Sequence, residues 1–319
     1  MLYNQKILIL GGLGFIGAAL VRHYHITNYI TIVDKIEYEN SVLKLMSLDL
    51  TNITIYKMDI TNKKDFLNVG TDYDYIINVS ALLGIKKVTV ESIQTILTNL
   101  KCAENSLNLA SKQSNLKKYI TFSTSEIYGN TSDNATEHDP AIIGCISEPR
   151  WCYAASKITA DHLTSAYHRE YGIPVIIIRP FNIFGEYRKG SNAINTFLTK
   201  MLNNDDVYVD GDGKQLRAWC YIDDFILGVT KAIESNYVCE VFNIGNPHNQ
   251  LTIFELAKLI KKLVKSKSKI EITNLFVPDI QLRRVSIDKA RNLLGYEPKI
   301  SLIEGIERII KWNKAHESK

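Results

Sequence analysis

Short runs rich in β-branched residues alternate with helix-length segments through roughly the first 180 residues. This alternation restricts the fold more than any other feature of the chain. "KILIL" (6–10), "ITIVD" (30–34), "ITIYKMD" (53–59), "YIINVS" (75–80), "KYITFS" (118–123) and "PVIIIRP" (174–180) read as strands, and 91–111 and 151–171 read as long helices. Strands of this length, apolar throughout and separated by helices, predict βαβ units around a parallel sheet covered on both faces, a doubly wound α/β fold. After Pro180 the pattern loosens. "LRAWCYI" (216–222) and "EVFNI" (240–244) read as strands. Thr252 with Glu255, and Ser301 with Glu304, carry the spacing of a capping box and predict helix starts. The expected division is a nucleotide-binding unit over 1–180 and a smaller mixed α/β substrate lobe over 181–319, the two interleaved, in a chain of 319 residues.

The first strand leads into "GGLGFIG", which sets Gly11, Gly14 and Gly17 between a strand and a helix. A turn this tight needs residues without Cβ, and the helix start behind it offers unpaired N–H groups to a pyrophosphate. A bare G-x-x-G-x-x-G is a weak signal, but the strand–turn–helix context is the one that gives it meaning. Asp34 ends the second strand, 17 residues beyond Gly17. A carboxylate there accepts bonds from both ribose hydroxyls of NAD and repels the extra phosphate of NADP. Lys35 follows it, and Asp59 and Ile60, closing the third strand, are expected to flank the adenine.

Tyr153 and Lys157 in "WCYAASK" stand four apart and share a helix face. Alone, that spacing is commonplace. Behind a nucleotide-binding half and a hydroxyl-rich strand end, "STSEIYG" (123–129), it points to a tyrosine base. Lowering a phenol from about 10 to about 7 takes roughly 4 kcal/mol of preferential phenolate stabilisation, which nearby positive charge supplies.

The glycine turn, "STSEIYG", "YAASK", "RPFNIFG" (179–185), "GDGKQLRAWCYIDD" (211–224) and "FNIG" (242–245) occur in one order over nearly the whole chain. In this the chain resembles the extended short-chain dehydrogenase/reductases that modify nucleotide sugars. The resemblance implies a Rossmann-type domain holding NAD, a C-terminal lobe gripping a nucleotide diphosphate sugar, and a homodimer formed through 91–111 and 151–171. It implies that Tyr153 takes the proton from the sugar 4-hydroxyl while hydride leaves C4. Lys157 would lower the tyrosine pKa and bind the nicotinamide ribose, and Thr124 would bond the same 4-oxygen. Phe15, Ile16, Ala81, Leu82, Asn99, Ser123 and Pro180 are expected beside the cofactor. Leu83 and Gly84 are expected on the sugar side, with Asn182 and Arg217 on the diphosphate.

Glu126 narrows the chemistry. A 4-ketosugar can return its hydride to the opposite face (epimerisation), lose water, or, as a uronate, lose carbon dioxide. The last two need a group that manages protons at C5. Thr124-Ser125-Glu126 resembles UDP-glucuronate decarboxylases, and also NADP-dependent GDP-mannose dehydratases, which Asp34 disfavours. "PDIQLRRVSI" (278–287) resembles the decarboxylase segment too, and its Arg283 matches an arginine facing the uronate. Two features depart from that pattern: Asn78-Val79-Ser80-Ala81 replaces His-x-Ala-Ala, and "ALLGIKKV" (81–88) resembles a bacterial branch of mixed activities. The expectation is an enzyme of the UDP-glucuronate decarboxylase type, with a 4-epimerase or a dehydratase as the alternative. A catalytically silent nucleotide-binding scaffold is a distinct class, which the intact Thr124, Tyr153 and Lys157 argue against.

Composition excludes more than it assigns. A net charge of +4 is too mild to imply a nucleic-acid or membrane partner. No apolar run is long enough to span a bilayer, and the start of the chain does not read as a signal peptide. The cysteines at 102, 145, 152, 220 and 239 form neither a zinc spacing nor an even framework and read as reduced thiols of a cytoplasmic protein, with no metal expected.

Overall fold

The computed structural model describes residues 1–66, 69–188, 192–273 and 280–316. In chain order the first half runs β1 (Lys6–Leu10), α1 (Phe15–Tyr24), β2 (Tyr29–Asp34), α2 (Val42–Met46), β3 (Ile53–Lys57), α3 (Lys63–Phe66), β4 (Tyr75–Asn78), α4 (Ile85–Val90), α5 (Ser92–Ala110), β5 (Lys118–Phe122), β6 (Thr131–Ala135) and α6 (Trp151–Tyr171). Then follow β7 (Val175–Pro180), β8 (Ile183–Phe184), α7 (Ala193–Leu202), β9 (Val207–Asp210), β10 (Leu216–Ala218), β11 (Cys220–Tyr221), α8 (Ile222–Glu234) and β12 (Glu240–Ile244). The chain closes with β13 (Gln250–Thr252), α9 (Ile253–Val264), β14 (Ile270–Thr273), β15 (Leu282–Val285), α10 (Asp288–Leu294) and α11 (Leu302–His316).

Among the described residues, seven strands form one parallel sheet in the order β12-β7-β5-β4-β1-β2-β3. This is the doubly wound, Rossmann-type sheet expected from the alternation. Successive residues of a strand point to opposite faces, so β1 feeds two cores. Ile7 and Ile9 join α1, α8 and α9 on one side; Leu8 and Leu10 join α5 and α6 on the other. All four are fully buried. The strand order reverses beside β1, between β2 and β4. Such a switch point opens a crevice at the carboxyl ends of the strands, where ligands of open α/β sheets bind.

Three smaller sheets accompany the main sheet among the described residues. β13, β10, β15 and β6 form one of them, β11 pairs with β8, and β14 with β9. The chain crosses the boundary expected at residue 180 in both directions: β6 joins β15 in the second sheet, and β12 extends the main sheet beside β7. The run "LRAWCYI" does not form one strand. β10 and β11 pair with different sheets around Trp219, and Ile222 already begins α8, with Asp223 and Asp224 in its first turn. β3 ends at Lys57, so Asp59 and Ile60 lie beyond the strand rather than at its close. The capping box at Thr252 is complete. At α11 only half of one forms: Ser301 Oγ accepts from the Glu304 amide at 3.1 Å, while the Glu304 carboxylate bonds Arg308. Pro278 and Asp279 of the decarboxylase-like segment, and the last three residues of the expected substrate lobe, lie outside the described residues. All five cysteines are free, and no helix among the described residues is long and apolar enough to cross a membrane.

Close packing of the glycine turn makes a testable demand. A Cβ on Gly17 would lie 2.2 Å from the Gly11 carbonyl oxygen, whereas one on Gly14 would meet it at 3.5 Å. Gly17→Ala is therefore expected to destabilise the protein by about 1–3 kcal/mol through overpacking, and Gly14→Ala to cost much less. Thermal melts of the two variants check this; equal melting temperatures would contradict it.

Candidate active site

The glycine turn curls at the foot of the crevice. Gly11 has a φ of +82°, and a Cβ there would lie 3.0 Å from the Ser80 amide. Helix α1 follows with Gly14 as its N-cap and no side-chain cap, so its first amides and its partial positive charge stay available to an anion. A turn that a single methyl group would fill, at an uncapped helix start, fits a dinucleotide pyrophosphate.

Asp34, buried at 7% exposure, stands at the end of β2. Its Oδ2 accepts from the Leu13 amide and its Oδ1 from the Ile36 amide, both at 3.1 Å. Burial pushes its carboxyl above the ordinary range, while these backbone bonds pull it back. The carboxylate thus pins the glycine turn to β2 while keeping acceptor capacity toward the crevice.

A cavity of about 410 Å³ runs along this crevice. Its wall contains Gly11, Gly14, Phe15, Ile16, Gly17, Asp34, Lys35, Asp59, Ile60, Ala81 and Leu82 from the expected cofactor set, together with Leu83. Asn99, Ser123, Tyr153, Lys157 and Pro180 lie outside this wall. Asn99 supports it instead: its Oδ1 accepts from the Leu82 amide at 2.8 Å, and its Nδ2 donates to Ser156 Oγ at 3.0 Å. Pro180 ends β7. Gly84 caps the start of α4 with a φ of +109° and open space around it.

Beyond the end of β5, Thr124 meets helix α6. Thr124 Oγ1 caps the short 3₁₀ turn Ser125–Tyr128 by accepting from the Glu126 amide at 3.2 Å, and it also hydrogen-bonds the Tyr153 phenol. Ser125 is buried within that turn. Burial pushes the Tyr153 phenol far above its ordinary pKa, Glu126 adds to the rise, and Thr124, Arg283 and Arg188 oppose it. Lys157 is buried, and its Nζ donates to the Phe122 carbonyl at 2.7 Å. Burial lowers its pKa, against Asp161 and Cys102.

Glu126 and Arg283 form an ion pair at 3.5 Å, with side-chain exposures of 18% and 8%. Arg283 also donates to Asn182 Oδ1 at 3.4 Å, and Asn182 Nδ2 donates to the Ala218 carbonyl at 2.9 Å. Asn182 holds a left-handed φ of 39°, a conformation that asparagine tolerates better than most residues. Arg217 and Arg283 are register neighbours on the parallel strands β10 and β15, and both are buried. Two buried guanidinium groups on neighbouring strands suit a diphosphate or a carboxylate.

Arg188 escaped the sequence reading. It lines the cofactor cavity, lies with its guanidinium 5.6 Å over the Phe15 ring, and acts electrostatically on Tyr153. It sits in a loop without periodicity, so nothing in the spacing marks it. Ser80 and Cys102 also line the cavity.

The profile of the NAD dependent epimerase/dehydratase family matches residues 7–245. The chain is 32% identical to a UDP-N-acetyl-alpha-D-glucosaminuronate decarboxylase of Bacillus cytotoxicus, over 97% of this chain and 98% of that protein. Among solved structures, dTDP-glucose 4,6-dehydratase from Bacillus anthracis, in complex with NAD, is 27% identical with a TM-score of 0.85, covering 98% of each chain. UDP-glucose 4-epimerase from Thermotoga maritima shares the fold, with a TM-score of 0.88 at 24% identity, covering 98% of this chain and 99% of that one. The chain therefore belongs to the NAD dependent epimerase/dehydratase family. It is an enzyme of the class that remodels nucleotide sugars, and its cofactor is NAD.

Asp34 provides a check on cofactor choice. The wild type should bind NAD in preference to NADP. Asp34→Ala should weaken NAD binding by about 10–100-fold, the loss of a hydrogen bond to a charged group, and should narrow the preference. Titration of both dinucleotides against both proteins decides; equal affinity of the wild type for the two would contradict the assignment.

Proposed function

We propose that this enzyme decarboxylates a UDP-uronate through a 4-keto intermediate. The observation that carries the reading is the Glu126–Arg283 ion pair set beside Thr124 and Tyr153. When bound, NAD supplies the acceptor and later the donor of the C4 hydride. In this reading Tyr153 takes the proton of the sugar 4-hydroxyl, and Thr124 hydrogen-bonds the same oxygen. Burial and the Glu126 charge both oppose ionisation of the phenol, so the base needs positive charge close by. Arg283 and Arg188 contribute part of it, and Lys157 holds its ammonium at the end of β5.

The ketone at C4 then accepts the electron pair of the C5–C6 bond as carbon dioxide leaves. Arg283 holds the uronate before that step, and Glu126 governs the proton that C5 must regain. Arg217 and Asn182 take the diphosphate. Support comes from the Thr-Ser-Glu sequence, from the buried arginine pair and from the uronate decarboxylase relative. A plain 4-epimerase needs no acid at C5, and a dehydratase would use Glu126 as the base that removes the C5 proton. The residues Ile93 and Leu97, four apart on the outer face of α5, are exposed and apolar, which fits a homodimer formed through α5 and α6.

Two substitutions test the reading. Tyr153→Phe should cut C4 oxidation by about 10²–10⁴-fold, the range of a positioned acid–base group. Glu126→Gln removes a charge that raises the Tyr153 pKa, so C4 oxidation should persist and shift to lower pH. The C5 step should slow, because an amide cannot exchange a proton as a carboxylate does. Rapid-quench analysis should then find a 4-keto sugar accumulating. Undiminished turnover in Glu126→Gln would favour an epimerase and overturn the decarboxylase reading.

A further inference from the structure

Helix α6 carries a third polar residue on the face of Tyr153 and Lys157. Asp161 lies four positions beyond Lys157, one further turn along the same stripe. It is 6% exposed. Its Oδ2 accepts from Ser123 Oγ at 2.7 Å and lies 3.6 Å from the Arg179 guanidinium of β7. It stands outside the wall of the cofactor cavity.

These contacts form a ladder between β5 and α6. Phe122 is tied to Lys157 through its carbonyl, Ser123 to Asp161 through its hydroxyl, and Thr124 to Tyr153. Three consecutive residues of one strand end thus meet three residues spaced one turn apart on one helix. Two of the rungs hold charges, and Asp161 is the anion set between two buried cations, Lys157 and Arg179. Arg179 is fixed from behind: it donates to the Tyr128 hydroxyl at 2.8 Å and to the Glu137 carbonyl at 3.4 Å, and lies 5.2 Å over the Tyr128 ring. Tyr128 donates onward to Asn243 at 2.8 Å. From α5, Cys102 faces Lys157.

We infer that Asp161 is a positioning residue: its carboxylate balances the Lys157 ammonium and, through Ser123, fixes the strand end that presents Thr124 to Tyr153. Burial pushes the Asp161 carboxyl up to about 6, against the pull of Arg179, Ser123 and Lys157. An ionised carboxylate here is held at a cost to stability, and replacement of buried ion pairs by apolar residues is often neutral or stabilising. The sign follows from the raised value: above about pH 6 the site holds Asp161 as an anion, and below it Asp161 takes a proton and Lys157 loses its counter-charge.

The inference rests on the proposed roles of Tyr153 and Lys157, and the experiment separates the two. The pH profile of kcat/KM and the pH dependence of NAD affinity are measured for the wild type, Asp161→Asn, Ser123→Ala and Tyr153→Phe, with melting temperatures. The wild type should lose both activity and NAD affinity as pH falls through about 6. Asp161→Asn should show neither limb, with kcat reduced about tenfold or more at all pH, a fraction of what a positioned acid–base group contributes. Its KM for the nucleotide sugar should stay within about twofold, since Asp161 is buried behind Ser123 and stands outside the cavity wall. Ser123→Ala removes a hydroxyl that lowers the Asp161 pKa, so its limb should move to higher pH; this variant carries the test if Asp161→Asn fails to fold. An acid limb unchanged in Asp161→Asn, or unmoved in Ser123→Ala, overturns the inference. Full activity of Tyr153→Phe overturns the base assignment instead, while the NAD-affinity limb still reports on Asp161.

Discussion

Helix α6 meets strand β5 through a buried bond from the Lys157 ammonium to the Phe122 carbonyl, 2.7 Å long. The rest of the site takes its position from that contact. An ammonium buried this deeply costs several kcal/mol unless it is hydrogen-bonded and balanced. It is bonded to a strand-end carbonyl, and the Asp161 carboxylate one turn away, itself held by Ser123 and Arg179, acts on it electrostatically. Once α6 is locked to β5 in this register, Thr124 reaches Tyr153, and the turn that follows brings Glu126 to Arg283. The geometry of the candidate site thus follows how one helix is charged and seated.

The two ends of the crevice use opposite physics. At the glycine turn, side chains are absent: uncapped amides and close backbone approach leave room for a pyrophosphate. Around Thr124 and Tyr153 charge is concentrated instead, with the half-buried Glu126 paired to the buried Arg283 and Arg217 on the neighbouring strand. Desolvation strengthens each interaction there and makes the charge state of the site decisive. The fold holds Tyr153 as a neutral phenol, because burial and Glu126 outweigh the arginines.

Much of this was legible in the sequence because it is local. A strand followed by glycines and a helix can be read from adjacent residues, and α6 runs over the same residues, 151–171, that its pattern predicts. Asp34 and the tyrosine–lysine pair are marked by spacing from those elements. Features made by distant pairing were harder to see. "LRAWCYI" looks like one strand because each residue suits a sheet, yet β10 and β11 belong to different sheets. β6 pairs with β15 across roughly 150 residues, and polar "TSDNA" carries no strand signal. Arg188 and Asp161 were missed for related reasons. One lies in a loop, and the other resembles an ordinary helical acid until β7 sets Arg179 beside it.

In the proposed reaction Glu126 and Arg283 turn a shared C4 oxidation toward loss of carbon dioxide. The most direct measurement is to incubate the NAD-loaded enzyme separately with UDP-glucuronate, UDP-N-acetylglucosaminuronate, UDP-glucose, UDP-N-acetylglucosamine and GDP-mannose, and to follow each product by mass. A UDP-uronate is expected to lose the mass of carbon dioxide and yield a pentose or 4-keto-pentose nucleotide, with the neutral sugars unchanged. A uronate recovered at unchanged mass as its C4 epimer, or a neutral sugar that loses water, would contradict it.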